Sequence, residues 1–280
     1  MVNKKVWFVT GASKGLGLTL VKKVLSLGYC VAATSRNLND LSKAVGAHEN
    51  FLPLSVDLLN EERVGSAVNE TINRFGQLDF VVNNAGYGML GALEELTDQE
   101  SRENFDVNVF GSLNVIRKVL PQMRKQQSGH IFNISSIGGF SGNFPGFGIY
   151  CATKFAVAGF TESLAAEVKS MGIKATVVEP GYFRTDFLTS GSLAVPENPI
   201  DAYKEVRESQ AAHHNEINNQ QPGDPEKGIE VIIAAAESEQ APLHLFLGPD
   251  AYQMADAKIM AVQKEMATWR TLATATNFDY

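Results

Sequence analysis

The eight residues Thr10-Gly11-Ala12-Ser13-Lys14-Gly15-Leu16-Gly17 follow directly on the apolar run Val6-Trp7-Phe8-Val9 and open a helical pattern at Gly15. Glycines at such a strand-to-helix junction let the chain turn tightly. They bring backbone N–H groups against a pyrophosphate, with the positive end of the helix facing the anion. The spacing Gly-x-x-x-Gly-x-Gly differs from the GxGxxG dinucleotide fingerprint, and the Gly-Lys-Ser/Thr ending of a triphosphate loop is absent. Taken alone, the stretch reads either as a cofactor turn or as an ordinary glycine-rich βα junction.

Its surroundings decide the fold class. Apolar or β-branched runs at Lys5–Thr10, Cys30–Ser35, Phe51–Val56, Leu78–Asn83, His130–Ile134 and Ala175–Glu179 read as strands. They alternate with helical patterns at about Gly15–Leu27, Leu38–Val45, Glu61–Phe75, Asp98–Lys125 and Tyr150–Ser170. This alternation predicts βαβ units and a parallel sheet covered on both faces. The unbroken apolar character of Val6–Val9 and Phe80–Val82 suits strands buried on both sides. A further strand is predicted at Leu243–Leu247, then Gly248-Pro249 and a helix to about Leu272, with Asp250 near its positive end. The expected architecture is α/β: a Rossmann-type doubly wound parallel sheet of about seven strands in a single domain over residues 1–280. The segment Ser190–Gly223, rich in Asn, Gln, Glu, Pro and His, reads as a partly helical excursion that forms a substrate-side lid.

With 280 residues and 44% of them hydrophobic, the chain can bury the core such a domain needs. A net charge of −7 argues against nucleic acid, whose phosphates call for clustered Lys and Arg. The two cysteines, Cys30 and Cys151, make neither a disulfide framework nor a CxxC metal motif, and reduced thiols in a cytoplasmic setting are the simplest reading. No run approaches the ~20 apolar residues of a membrane span, so no membrane partner is expected.

Three more segments join the glycine turn in a fixed order: Asn83-Asn84-Ala85-Gly86, Ser136 with Tyr150-x-x-x-Lys154, and Pro180-Gly181. Together with Thr10–Gly17, which resembles a TGxxxGxG motif, they are similar to the short-chain dehydrogenase/reductase family. The resemblance is to its short single-domain branch of ketoreductases and hydroxysteroid dehydrogenases, and it covers roughly residues 4–190. It implies an oxidoreductase acting on small-molecule carbonyl or alcohol substrates, and a homodimer or homotetramer. Asp98–Lys125 and the helix after Tyr150 are candidates for the subunit contact. Ser136 and Tyr150 stand 14 positions apart, one more than the family's common pattern; we assign the extra residue to the Gly138–Gly148 loop.

The cofactor side is read residue by residue. Gly11, Ser13, Lys14, Gly15, Leu16 and Gly17 form the phosphate turn. Many NAD-binding folds place an acid after the second strand to accept the ribose 2′-OH. Here Val31-Ala32-Ala33-Thr34-Ser35 ends instead in Arg36, whose guanidinium would meet a 2′-phosphate, with Lys14 adding charge. NADP(H) is therefore expected, the other reading being that both are solvated surface charges. The resemblance places Asp57 and Leu58 near the adenine, although Asp57 reads equally as a helix cap, a role for which Asn60 competes. It places Asn83, Ala85 and Gly86 at the central sheet and the ribose. Pro180, Gly181 and Thr185 would lie beside the nicotinamide.

Tyr150 and Lys154, four apart, share one helix face. A free tyrosine titrates at ~10 and is a poor acid–base group at neutral pH. A neighbouring ammonium is expected to lower it and so make Tyr150 the general acid/base. Ser136, at the C-terminal end of its strand, can donate to a developing oxyanion, while Ser135 points the other way. Asn108 lies inside an apolar helical stretch, where the resemblance makes it a kink that links Lys154 to solvent through a water. A buried Asn bonding locally is the alternative.

The substrate pocket is expected along Gly138–Phe147, Tyr182–Leu193 and the segment up to Gly223. There Phe140, Phe144, Phe147, Phe183 and Phe187 point to an apolar or aromatic substrate, unless they are core residues. His213-His214 read as exposed lid residues with no metal partners, and Cys151 as a packing residue. A non-catalytic NADP-binding regulator is the competing function. It would be expected to have lost Tyr150, Lys154 or Ser136.

Overall fold

Val6–Val9 (β1) is buried at every position because helices cover both faces of the sheet it centres. The computed structural model describes residues 4–189 and 191–278. After β1 come α1 (Gly15–Ser26), β2 (Cys30–Ser35), α2 (Leu38–Val45), β3 (Phe51–Ser55), α3 (Glu61–Phe75) and β4 (Phe80–Asn83). A short strand β5 (Gly88–Met89) precedes α4 (Asp98–Phe105), α5 (Gly111–Gln126), β6 (Gly129–Ile134), α6 (Gly148–Val168) and β7 (Ile173–Pro180). The chain ends through β8 (Leu193–Ala194), α7 (Lys204–Ala212), α8 (Pro225–Glu237), β9 (His244–Leu247) and α9 (Pro249–Ala273).

Seven of these strands form one parallel sheet in the order β3-β2-β1-β4-β6-β7-β9. The order reverses between β1 and β4, and in open α/β sheets that switch point is where a ligand crevice opens beyond the strands' C-terminal ends. Side chains alternate across the sheet. Trp7 and Val9 join a core with Leu20, Val24, Leu41, Ile229 and Ile232 under α1, α2 and α8. Phe8 points the other way, to Val64, Val68, Val115, Val119 and Leu164 under α3, α5 and α6. The doubly wound architecture is the one the alternating pattern predicts.

The differences are local. The predicted helix Asp98–Lys125 is divided by a π-helical turn, Asp106–Phe110, centred on Asn108. The cap of α3 is Asn60, whose side chain accepts from the Arg63 N–H, while Asp57 holds the preceding turn by accepting from Leu59 N. Helix α8 was not anticipated, although its signals are present: Asp224 caps it, Pro225 opens it, and Ile229, Ile232 and Ile233 are buried. Ser190, the first residue of the lid segment, lies outside the described residues. The rest of that segment is tied to the body by the parallel pair β5–β8 and by a bridge between Phe183 and Gly223.

Candidate active site

A cleft of about 1120 Å³ opens at the C-terminal ends of the strands. Its floor begins at the glycine turn. Gly11 has φ +64°, and a Cβ there would stand 2.7 Å from the Ala85 Cα, so the turn can lie on the end of β4 only as glycine. Thr10 and Asn84 lock this junction: Asn84 Nδ2 donates to the carbonyls of Thr10 and Gly11, and the N–H groups of Asn84 and Ala85 donate to Thr10 Oγ1. The helix that follows is left open. Lys14, its N-cap residue, makes no side-chain cap, and the first turn of α1 carries no acid. By contrast α2, α3, α4 and α8 are capped by Asn37, Asn60, Thr97 and Asp224. An uncapped positive helix end facing a cleft fits the pyrophosphate of a dinucleotide.

Gly11, Ser13, Lys14, Gly15, Leu16, Arg36, Asp57, Leu58, Ala85, Gly86, Ser136, Tyr150, Lys154, Pro180, Gly181 and Thr185 all line the cleft. The structure therefore gathers nearly all the site residues read from the sequence. Lys14 Nζ also donates to the Gly191 carbonyl at 2.8 Å, joining the turn to segment 191–223. Three expected residues stand behind the wall rather than on it. Gly17 is packed against Asn84. Asn83 donates to Asn133 Oδ1 at 2.8 Å and stitches β4 to β6. Asn108, buried, accepts from Tyr87 N and donates to Tyr87 O and Thr153 Oγ1, each at 3.0 Å. It positions the start of α6.

Tyr150 and Lys154 project from α6, with Lys154 Nζ 5.7 Å from the Tyr150 ring centroid. Lys154 Nζ donates to the Ile134 carbonyl at 2.9 Å, and Ser135 Oγ donates to the Lys154 carbonyl at 2.8 Å, so β6 and α6 are bolted together. Ser136 faces the cleft, its Oγ accepting from Gly138 N. The electrostatics correct the expectation for Tyr150. Burial drives its phenol well above the ordinary tyrosine value, and only the Ser136 hydroxyl beside it pulls the other way. The same burial lowers Lys154 to about 8. Desolvation penalises both charged forms and is the largest influence on each. Burial thus disfavours the phenolate of Tyr150 in this geometry.

The substrate side is aromatic. Phe147 and Phe187 stand 5.9 and 5.7 Å, centroid to centroid, from Tyr150. Phe144 and Phe183 also reach the cleft. Phe140 does not: it packs edge-on to Phe246 behind the site. His213 departs from the exposed position expected of it. It is buried against Phe147 and lines the cleft, while His214 is exposed. Its Nδ1 donates to the Ser209 carbonyl at 2.8 Å, and its Nε2 pairs with Tyr182 Oη at 3.0 Å. Sequence spacing could not reveal this pair, because 31 residues separate its members. A second tie to segment 191–223 was equally hidden: Glu95, its carboxylate fully buried, accepts from Ala92 N, Ile200 N and Arg207. Cys151 is buried, and burial raises its thiol to about 11, which suits packing and not nucleophilic attack. Among the described residues no cluster of His, Cys, Asp or Glu could hold a metal, and no helix is long and apolar enough to cross a membrane.

The family profile for short chain dehydrogenase matches residues 5–194. Oxidoreductase BOA17 of Botryotinia fuckeliana is 35% identical over 274 residues, spanning 97% of this chain and 99% of that protein. A short-chain dehydrogenase from Streptomyces avermitilis superposes with a TM-score of 0.90 at 36% identity, covering 99% of this chain and 100% of the other. The structure of ElxO with NADP bound is similar at a TM-score of 0.72 and 30% identity, over 87% and 96% of the two chains. Matching fold, ordered motifs and extensive coverage give one conclusion: the chain is an oxidoreductase of the short-chain dehydrogenase family.

Proposed function

We propose that this protein is an NADP(H)-dependent enzyme that interconverts a carbonyl and an alcohol, with Tyr150 as general acid/base. The observation that carries the reading is the meeting of Ser136, Tyr150 and Lys154 on one wall of a cleft whose other end is the uncapped start of α1. When bound, the nicotinamide supplies or takes up the hydride. Glycine-turn N–H groups hold the pyrophosphate, and Pro180, Gly181 and Thr185 bracket the nicotinamide. Arg36, exposed at the end of β2 where an acid would reject a 2′-phosphate, favours NADP(H) over NAD(H). ElxO, with NADP bound, is consistent with this choice.

For reduction, Ser136 donates to the substrate oxygen as negative charge grows there, and Tyr150 passes it the phenolic proton. Lys154 holds the ribose and tunes Tyr150, with Asn108 positioning α6 beneath both. The aromatic wall suits an apolar or aromatic small molecule. A homo-oligomer in a reducing cytoplasm, where Cys30 and Cys151 stay free, belongs to the same reading.

Absorbance of NADPH at saturating ketone or aldehyde, with NADH in parallel, tests the proposal. Turnover that prefers NADPH and disappears in Tyr150→Phe while NADPH still binds is the expected result. Undiminished turnover by Tyr150→Phe would refute the mechanism. Tight NADPH binding with no turnover in either direction would favour a regulator.

A further inference from the structure

Helix α9 leaves the body of the protein. Ala251 and Ala255 are its buried residues, packed with Ile137; beyond them every residue to Ala273 is exposed except the half-buried Val262. At 1.5 Å per residue this projecting part is about 27 Å long. A solvated helix of that length is marginal in water unless one face is packed. Its apolar residues are also ordered. Tyr252, Ala255, Ile259, Val262, Met266, Trp269 and Ala273 recur at alternating intervals of three and four, the a/d spacing of a coiled-coil seam. Ile259, Met266 and Trp269 are 43%, 56% and 60% exposed. Where α9 departs from α6, an apolar groove of about 430 Å³ opens between Phe140, Phe155 and Ala158 on one side and Ile259 and Val262 on the other.

We propose that α9 is an assembly arm that pairs antiparallel with the α9 of a second copy of this chain. Charge selects that occupant and its direction. Asp256 lies near the start of the arm and Arg270 near its end, both flanking the seam, with Lys258 on the opposite flank from Asp256. In an antiparallel pair that sets Ile259 against the partner's Trp269 and Val262 against the partner's Met266, Asp256 faces the partner's Arg270 twice, once on each side of the two-fold axis. The partner's Trp269 then sits at the mouth of the groove beside Ile259 and Phe155, and this chain's Trp269 does the same in return, as a self-complementary contact requires. Glu265 meets its own copy near the axis, at a solvated rim where the cost is small. A parallel pair would place both bodies at the same end of the two helices, where Ala251 and Ala255 already pack on their own chain. This interface is separate from Asp98–Lys125 but takes in Phe155 and Ala158 of the helix after Tyr150, the other segment the sequence marked as a candidate for subunit contact.

Sedimentation equilibrium of the full-length protein, with NADP⁺ present, tests the arm. Wild type is expected to associate in an even number of copies, and Trp269→Glu or Ile259→Glu to halve that mass while melting temperature and NADPH fluorescence are kept. Asp256→Arg and Arg270→Asp should each weaken association by roughly tenfold or more, through like-charge contacts at both ends of the arm. The double variant Asp256→Arg/Arg270→Asp should restore association to within about threefold of wild type, because each reversed charge again faces its opposite. A monomeric wild type, a mass untouched by Trp269→Glu, or a double variant weaker than either single one would overturn the proposal.

Discussion

Replacing Gly139 by alanine should slow the chemical step without unfolding the protein. Gly139 lies in the turn between Ser136 and the catalytic helix. A Cβ there would stand 2.2 Å from Ser135 Oγ and 2.6 Å from the Lys154 carbonyl oxygen. The serine can rotate away, at the loss of its 2.8 Å hydrogen bond to that carbonyl. The carbonyl belongs to the backbone of α6 and cannot rotate. Ordinary contact begins at 3.4 Å, so the helix must retreat by about 0.8 Å at Lys154, the residue proposed to tune Tyr150. Displacements of about 1 Å in an aligned site cost on the order of 10²-fold in rate, and overpacking a well-filled site costs ~1–3 kcal/mol. We therefore expect kcat to fall by roughly 30- to 100-fold. NADPH affinity should fall less than kcat, because the glycine turn proposed to hold the pyrophosphate is remote and only the proposed contact of Lys154 with the ribose is disturbed. Single-turnover NADPH oxidation isolates the hydride step, and urea unfolding measures the stability loss. Gly65→Ala in α3 is the control, since its methyl would meet only the Lys118 side chain at 3.5 Å. Wild-type kcat in Gly139→Ala would show that the contact between β6 and α6 does not set the catalytic geometry.

Other perturbations report on separate parts of the site. Arg36→Asp should lower the NADPH-to-NADH ratio of kcat/KM by roughly 10- to 100-fold, through loss of a charge-assisted hydrogen bond and added repulsion; an unchanged ratio would count against Arg36 as the selector. Lys154→Met should abolish turnover yet stabilise the ligand-free fold at pH 7 by about 3 kcal/mol, since burial holds Lys154 at about 8. The unfolded chain keeps that proton more tightly, so the penalty is full below pH 8 and fades as pH rises toward the ordinary lysine value of 10.5. Denaturation at pH 7 and pH 10 should show the gap between the two proteins closing. Arg207→Leu removes the counter-charge of buried Glu95 and should raise KM several-fold with a smaller change in kcat. Its cost of roughly 1–3 kcal/mol is below that of a fully buried pair, because two backbone donors remain and Arg207 is partly solvated. Burial raises Glu95 and its hydrogen bonds and Arg207 lower it, with a net downward shift. The anchor should therefore hold above the normal carboxylate range and loosen as pH falls below it.

What could be read from the chain alone was what is encoded locally. The glycine turn is legible because a tight βα junction needs glycine at a few closely spaced positions, here Gly11, Gly15 and Gly17. Tyr150 and Lys154 are legible because helical geometry places residues four apart on one face whatever the rest of the fold does. The parallel sheet followed from buried apolar strands alternating with helices. Contacts between distant segments belong to the tertiary structure. His213 looked like a surface histidine until the lid laid it on Phe147 and Tyr182, and Glu95 gained its partner 112 residues away. Phe140 was one of several phenylalanines near the site, and only packing sent it to Phe246 and not to the cleft. Even the pKa order of Tyr150 and Lys154 reversed the local argument, because desolvation depends on everything packed around a group, whereas spacing describes only its neighbours along the helix.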